Sequence, residues 1–279
     1  MRIISRMQYR MKTPVTLLLN FRVRASSVQT LLSESVRFSL PGRPELILSA
    51  PGGNRFDRLH VRKGNVLTIQ YEAEVSTCSR LLDPDTLRKV PPAALDPALL
   101  PFLFPSRYCQ SDRLGRLAWQ KFGHITPVYD QVWEIARWIY ESVEYLPGAT
   151  SSVTSAYDTV TQRAGVCRDF AHLGIALCRA LNIPARYFTG YAHRLKPQDF
   201  HACFEAFIGG HWVLFDPTRL AAPNGLVRIG LGRDAADVSV CTAFGPVYPG
   251  LYEIRCEVLN RAFRPLTPEH LAHTAVSLE

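Results

Sequence analysis

Arg163-Ala164-Gly165-Val166-Cys167-Arg168-Asp169-Phe170-Ala171-His172-Leu173 sets one cysteine where a loop gives way to a strongly apolar helical pattern. A helix start carries unpaired N–H groups and partial positive charge, both of which favour thiolate over thiol and make a sulfur nucleophilic near neutral pH. The pattern predicts a helix from about Cys167 to just before Asn182-Ile183-Pro184. Along it Cys167, Ala171, Gly174 and Cys178 share a narrow face of small residues, while Phe170, Leu173, Leu177 and Leu181 form a bulky one, so a sheet or a substrate can come close. A cysteine beside an apolar helix is by itself most often a small buried hydrophobe. Cys178 and Cys203 fit that description better than Cys167 does.

After Pro184 the period changes to that of strands, over residues 185–192, 201–208 and 211–216, with Gly209-Gly210 between the last two. A two-residue Gly-Gly link predicts a tight hairpin that pairs Ile208 with His211 and, counting outward, sets Cys203 opposite Asp216. Side chains alternate across a strand, so His201, Cys203 and Glu205 share a face with Trp212, Leu214 and Asp216. His201 and Asp216 become diagonal neighbours, about 7 Å apart at Cα level, within reach for an imidazole and a carboxylate. A thiolate, a base and an orienter make up the logic of covalent acyl transfer, in which a thiol attacks an amide or ester carbonyl. The Cys167 backbone N–H is the natural first oxyanion donor. His172 lies about 140° from Cys167 around a helix and reads as structural.

Upstream, residues 15–75 alternate as strands, at 15–19, 36–40, 46–48, and 59–61 leading through Lys63-Gly64-Asn65 into 66–71 as an expected hairpin. A proline-rich connector follows at Pro84, Pro91, Pro92, Pro97, Pro101 and Pro105. Thr126-Pro127 then opens an amphipathic helix carrying Val132, Ile135, Ala136, Ile139, Tyr140 and Val143, and Ser155-Ala156-Tyr157-Asp158 resembles a capping box on a short helix ending near Gly165. The expected division is residues 1–13 as an uncertain start of little structural weight, 14–100 as a β-rich domain, 101–260 as the catalytic domain and 261–279 as a polar tail without a role.

The 279 residues are 47% apolar, ordinary for a globular protein. Seven cysteines at irregular spacing in so long a chain read as reduced thiols, and the apolar run at 15–21 lacks a cleavage site, which together point to the cytoplasm. No apolar run approaches the roughly 20 residues that a bilayer requires. A net charge of +8 comes from arginines scattered through every region, so a solvated basic surface is expected rather than a nucleic-acid footprint. A zinc site drawn from Cys167, His172, Cys178, His201, Cys203 and His211 is disfavoured, because no close cysteine pair has finger or ribbon spacing. Asp83 and Asp85 lack the other ligands of a calcium loop.

Gly165-Val166-Cys167-Arg168-Asp169-Phe170-Ala171, Asn182-Ile183-Pro184-Ala185-Arg186-Tyr187 with Gly190-Tyr191, His201 with Glu205, and Trp212 through Asp216-Pro217-Thr218 resemble the core motifs of the bacterial transglutaminase-like superfamily. The likeness covers about residues 105–245. Ser106-Arg107-Tyr108-Cys109 with Asp112-Arg113-Leu114, and residues 232–238, resemble further blocks of its cysteine-protease-like members. The resemblance implies an α+β fold, a papain-like, transglutaminase-like catalytic domain after a small antiparallel β domain, with Cys167 as nucleophile, His201 as base and Asp216 as orienter, and no cofactor or metal. It implies a protein or peptide substrate and peptidase or amidase hydrolysis through a thioester acyl-enzyme. Cross-linking to an amine is the alternative outcome of the same intermediate, and a non-catalytic interaction module is the competing class. Cys203 departs from the pattern, since relatives carry a bulky aromatic near that position.

Overall fold

The computed structural model describes residues 1–40, 44–49, 53–62 and 65–279, so Lys63 and Gly64 of the expected turn lie outside it. Period-two alternation makes the first part strand throughout: β1 (Arg2–Met11), β2 (Val15–Leu19), β3 (Gln29–Phe38), β4 (Glu45–Leu48), β5 (Arg55–Val61), β6 (Asn65–Thr77) and β7 (Arg80–Leu82). Three 3₁₀ turns, Pro84–Thr86, Pro92–Ala94 and Pro97–Phe102, carry the proline-rich connector. Then come α1 (Ser111–Phe122), α2 (Val128–Ser142), β8 (Glu144–Tyr145), α3 (Ala156–Gln162), β9 (Ala164–Gly165) and α4 (Cys167–Ala180). The chain ends with β10 (Ala185–Ala192), β11 (His201–Ile208), β12 (His211–Phe215), β13 (Leu226–Gly232), α5 (Ala235–Val238), β14 (Cys241–Phe244), β15 (Val247–Glu257), α6 (Pro268–Leu271) and β16 (Ala275–Ser277).

Two four-stranded antiparallel sheets, in the orders β15-β1-β6-β3 and β14-β2-β5-β4, bury a common core that includes Ile3, Met7, Leu17, Leu19, Leu67 and Ile69. Residues 1–13 therefore have a role that their sequence position hid: β1 runs between β6 and β15, with Ile3, Met7 and Tyr9 buried. The expected β5–β6 hairpin is also corrected. β5 pairs with β2 and β4, whereas β6 pairs with β1 and β3. Leu59 and Val61 face the core from one sheet and Leu67, Ile69 and Tyr71 from the other, so the link crosses between sheets. A turn signal marks a reversal without naming the strand's partner.

β14 and β15 pair with β2 and β1, and Tyr191, Val227 and Ile229 of β10 and β13 enter the N-terminal core. The tail is corrected as well: β16 pairs with β7, and Val276 and Leu278 pack with Phe188, Cys203 and Leu214. A three-residue strand is too short to display a period.

The third sheet, β12-β11-β10-β13, holds β10 at its centre, buried at every position. α4 lies against it with the small-residue face inward: a Cβ added at Gly174 would come within 2.4 Å of the Phe204 ring. Strands β10, β11 and β13 are further tied by Glu205, wholly buried, which accepts from Arg186 Nε at 2.6 Å and from Arg228 Nη2 at 2.7 Å. Burial alone would raise its carboxyl, but the two guanidiniums hold it below the usual range. Glu205→Ala takes the buried carboxylate from Arg228, leaves Arg186 paired with Glu279 alone, and is expected to destabilise the fold by about 3–5 kcal/mol, read as a lower urea midpoint at unchanged slope.

Candidate active site

α4 begins at Cys167 because Val166, extended at the N-cap, hands its N–H to Asp169 Oδ2 at 2.9 Å and its carbonyl to the Asp169 and Phe170 N–H groups. Asp169, fully buried, also accepts from Thr150 Oγ1 at 2.6 Å and pairs with Arg168 at 2.9 Å, so the loop at 150–151 is strapped to the helix start. Gly165 cannot be larger, since a Cβ there would lie 2.8 Å from that of Asp169. Cys167 is half-buried, held at the first turn of the helix.

The hairpin forms with the register that its Gly-Gly link predicts, from Ile208↔His211 out to Phe204↔Phe215, with Gly209 and Gly210 at φ of 60° and 81°. Residues 201 and 216 then meet: His201 Nε2 and Asp216 Oδ2 are 2.8 Å apart, both side chains almost wholly buried. Asp216 is fixed from behind by the Thr218 N–H and hydroxyl, which donate to Oδ1 at 2.9 and 2.7 Å, and by the Ala221 N–H, which donates to Oδ2 at 3.2 Å. Burial would raise its carboxyl, yet His201 and Thr218 hold it below the ordinary range, as a carboxylate. Burial would likewise lower His201, and the Asp216 charge overrides it, holding the imidazole well above its ordinary value. Nδ1 is buried and unpaired, and the Cys167 thiol beside the ring is one of the groups favouring the cation. That leaves Nδ1 as the ring atom open to the sulfur.

Sequence reasoning did not find Tyr145. β8 pairs in parallel with β9, setting Tyr145 against Gly165, two residues before the cysteine. Burial pushes its phenol up to about 12, the Cys167 sulfur adds to this, and the Cys167 backbone N–H facing the phenolic oxygen works against it. A two-residue strand has no period to read, so nothing in the pattern marked it. Tyr145 also borders a groove of about 480 Å³ together with Tyr140, Arg163, Phe170 and Thr218.

His172 is buried between rings, its centroid 5.0 Å from that of Tyr108 and 5.0 Å from that of Tyr187, while Nε2 accepts the Ala235 N–H at 3.1 Å. It joins the block at 106–109 to that at 232–238, as does Arg179, which donates to the carbonyls of Phe104, Ala185 and Arg233. Among the described residues one group gathers metal-ligand types: His201, Cys203 and Asp216 each bring a ligand atom, all within 4.8 Å of one another.

Residues 116–217 match the family described as the transglutaminase-like superfamily, and residues 1–98 match the bacterial transglutaminase N-terminal domain. A crystal structure from Cytophaga hutchinsonii, described as that of a candidate cysteine protease, superposes with a TM-score of 0.96 at 47% identity, covering 100% of this chain and 96% of that one. An uncharacterised protein of Mycobacterium leprae is 36% identical over 37% of this chain, and one of Mycobacterium tuberculosis is 30% identical over 40% of it. The match spans 40% of the length of each of these two curated relatives.

Proposed function

Because the chain belongs to the transglutaminase-like superfamily, we propose that it is a thiol-dependent enzyme that cleaves amide bonds of peptides or proteins through a thioester at Cys167. The observation that carries this reading is the buried His201–Asp216 contact of 2.8 Å, with the free face of the imidazole turned to a cysteine at a helix start. The Cys167 thiolate attacks the carbonyl carbon, and the imidazolium gives its Nδ1 proton to the departing amine. Water, deprotonated by the now neutral ring, attacks the thioester and releases the acid. Asp216 keeps Nε2 protonated and the ring in place throughout.

The negative charge that develops on the carbonyl oxygen needs two donors. The Cys167 N–H is one, and the Tyr145 hydroxyl, facing that same N–H, is the second in this reading. Tyr145→Phe is expected to lower kcat roughly 10²-fold with KM little changed, the loss typical of one oxyanion donor; an unchanged kcat in steady-state assays removes Tyr145 from the chemistry.

Incubation of wild type and Cys167→Ala with a peptide mixture, with and without a primary amine, tests the whole reading by product mass. Gain of water identifies a hydrolase and gain of the amine a transferase. Identical products from both proteins would sink the proposal.

A further inference from the structure

We propose that Cys203, His201 and Asp216 form an inhibitory site for a thiophilic divalent cation of the zinc or cadmium type, which switches the enzyme off by taking the place of the proton between His201 and Asp216.

The hairpin register builds the site. Cys203 stands two residues from His201 on β11, on the same face, and lies one step beyond the last β11–β12 pair, Phe204↔Phe215, on the side where Asp216 follows β12. The outcome is a sulfur, an imidazole nitrogen and a carboxylate oxygen within 4.8 Å of one another. Tetrahedral zinc, with bonds near 2.0–2.3 Å, sets its ligand atoms about 3.3–3.8 Å apart. The His201–Asp216 separation of 2.8 Å therefore opens by about half an ångström and the sulfur draws in by up to about 1.2 Å, changes within the range of small side-chain rotations. A water fills the fourth position.

The chemistry of the set suits a soft cation. Nitrogen with sulfur selects zinc-like ions over magnesium or calcium, which want oxygen. One thiolate and one carboxylate neutralise a divalent ion, so a charge-balanced centre is left in a buried place where an unbalanced one would be costly. Binding releases the Cys203 thiol proton and the His201 Nε2 proton, and no electron moves. Because the ligand atoms must give up their protons, proton competition weakens binding as the pH falls. Asp216 is already held from behind by Thr218 and Ala221, the kind of support that orients a metal ligand. A cavity of about 100 Å³ lined by Leu214, Leu220 and Ala221 reaches Asp216 and offers an entry path.

The consequence for the enzyme is direct. With a cation on Nε2, the ring can neither remain an imidazolium nor turn, and the acid that protonates the leaving amine is lost.

The test has two arms. The binding arm stands apart from the catalytic reading and uses Cys167→Ala/Cys78→Ser/Cys241→Ser, which removes the two half-buried thiols and the exposed one. Cadmium titration is expected to give a thiolate-to-metal charge-transfer band saturating at one equivalent, with about two protons released per ion at neutral pH. Adding Cys203→Ala, or Cys203→Val as a second packing variant, is expected to abolish both signals, while the melting curve checks that each variant is folded. An unchanged band in both variants, or no band in the parent, overturns the proposal. The inhibition arm rests on the proposed function: zinc should inhibit peptide turnover by wild type, and the inhibition constant should rise at least about tenfold in whichever Cys203 variant is folded and active. Equal inhibition of wild type and that variant overturns the proposal, whereas loss of hydrolysis in wild type itself speaks against the catalytic reading alone.

Discussion

Cys167→Ala is expected to lose amide hydrolysis by at least about 10⁴-fold while keeping its melting temperature, because nucleophile deletion removes the covalent route and leaves only binding and oxyanion stabilisation. The side chain is small and half-buried, so its removal opens little cavity in the core. Thiol labelling gives an independent readout. Burial pushes Cys109 and Cys178 far up, Cys203 and Cys256 up to about 12, and Cys241 up to about 11, so these five thiols are poor nucleophiles near neutral pH. Cys78 is exposed and serves as the internal reference. Iodoacetamide near pH 6 is expected to modify Cys167 first, located by peptide mass, and to inactivate in step with that single modification. Labelling of Cys167 no faster than Cys78 would contradict an ion pair with His201.

The Cys167–His201–Asp216 constellation was legible because each member sits on an element with a strong local rule. A capped, long apolar helix fixes where Cys167 stands, and a Gly-Gly turn fixes which residues face each other across β11 and β12. What escaped the sequence was long-range pairing. β1 looks like an unimportant start, and the segments of β14 and β15 carry no strand reading at all, until they pair across more than two hundred residues, and no local pattern encodes such a choice. The β5–β6 error has the same origin, since both strands alternate cleanly and would fit one sheet or two. Tyr145 was hidden for the opposite reason: its strand is too short to have a pattern. Glu205 read as part of a motif around His201, and its neighbours Arg186 and Arg228 show it to be the ionic clasp of three strands.

Asp216→Asn is expected to lower kcat roughly 10³-fold, more than the small change in shape suggests. Oδ1 accepts two donors from Thr218, whereas Oδ2 accepts from Ala221 and His201. An amide has one acceptor, and the two Thr218 donors claim it, so the NH₂ turns to His201 Nε2 and demands the tautomer that has no proton there. The charge effect adds a signature that a merely structural lesion would not give. In wild type the Asp216 carboxylate holds the imidazolium well above its ordinary range against the pull of burial, so the alkaline limb of kcat/KM is expected above about 6.5. In the variant the raising charge is gone and burial remains, so that limb moves to lower pH. Stability follows the same sign. His201, raised in the fold, contributes fully below its unfolded value of about 6.5 and loses that contribution as the pH climbs through its folded value. Asp216, lowered in the fold, contributes above its unfolded value of about 3.9 and loses that contribution on acidification. The melting-temperature gap between wild type and Asp216→Asn is therefore expected to be widest between about pH 4 and 6.5 and to narrow on either side. A gap that is flat with pH, together with an unmoved alkaline limb, would mean that His201 and Asp216 do not share a proton in the working enzyme.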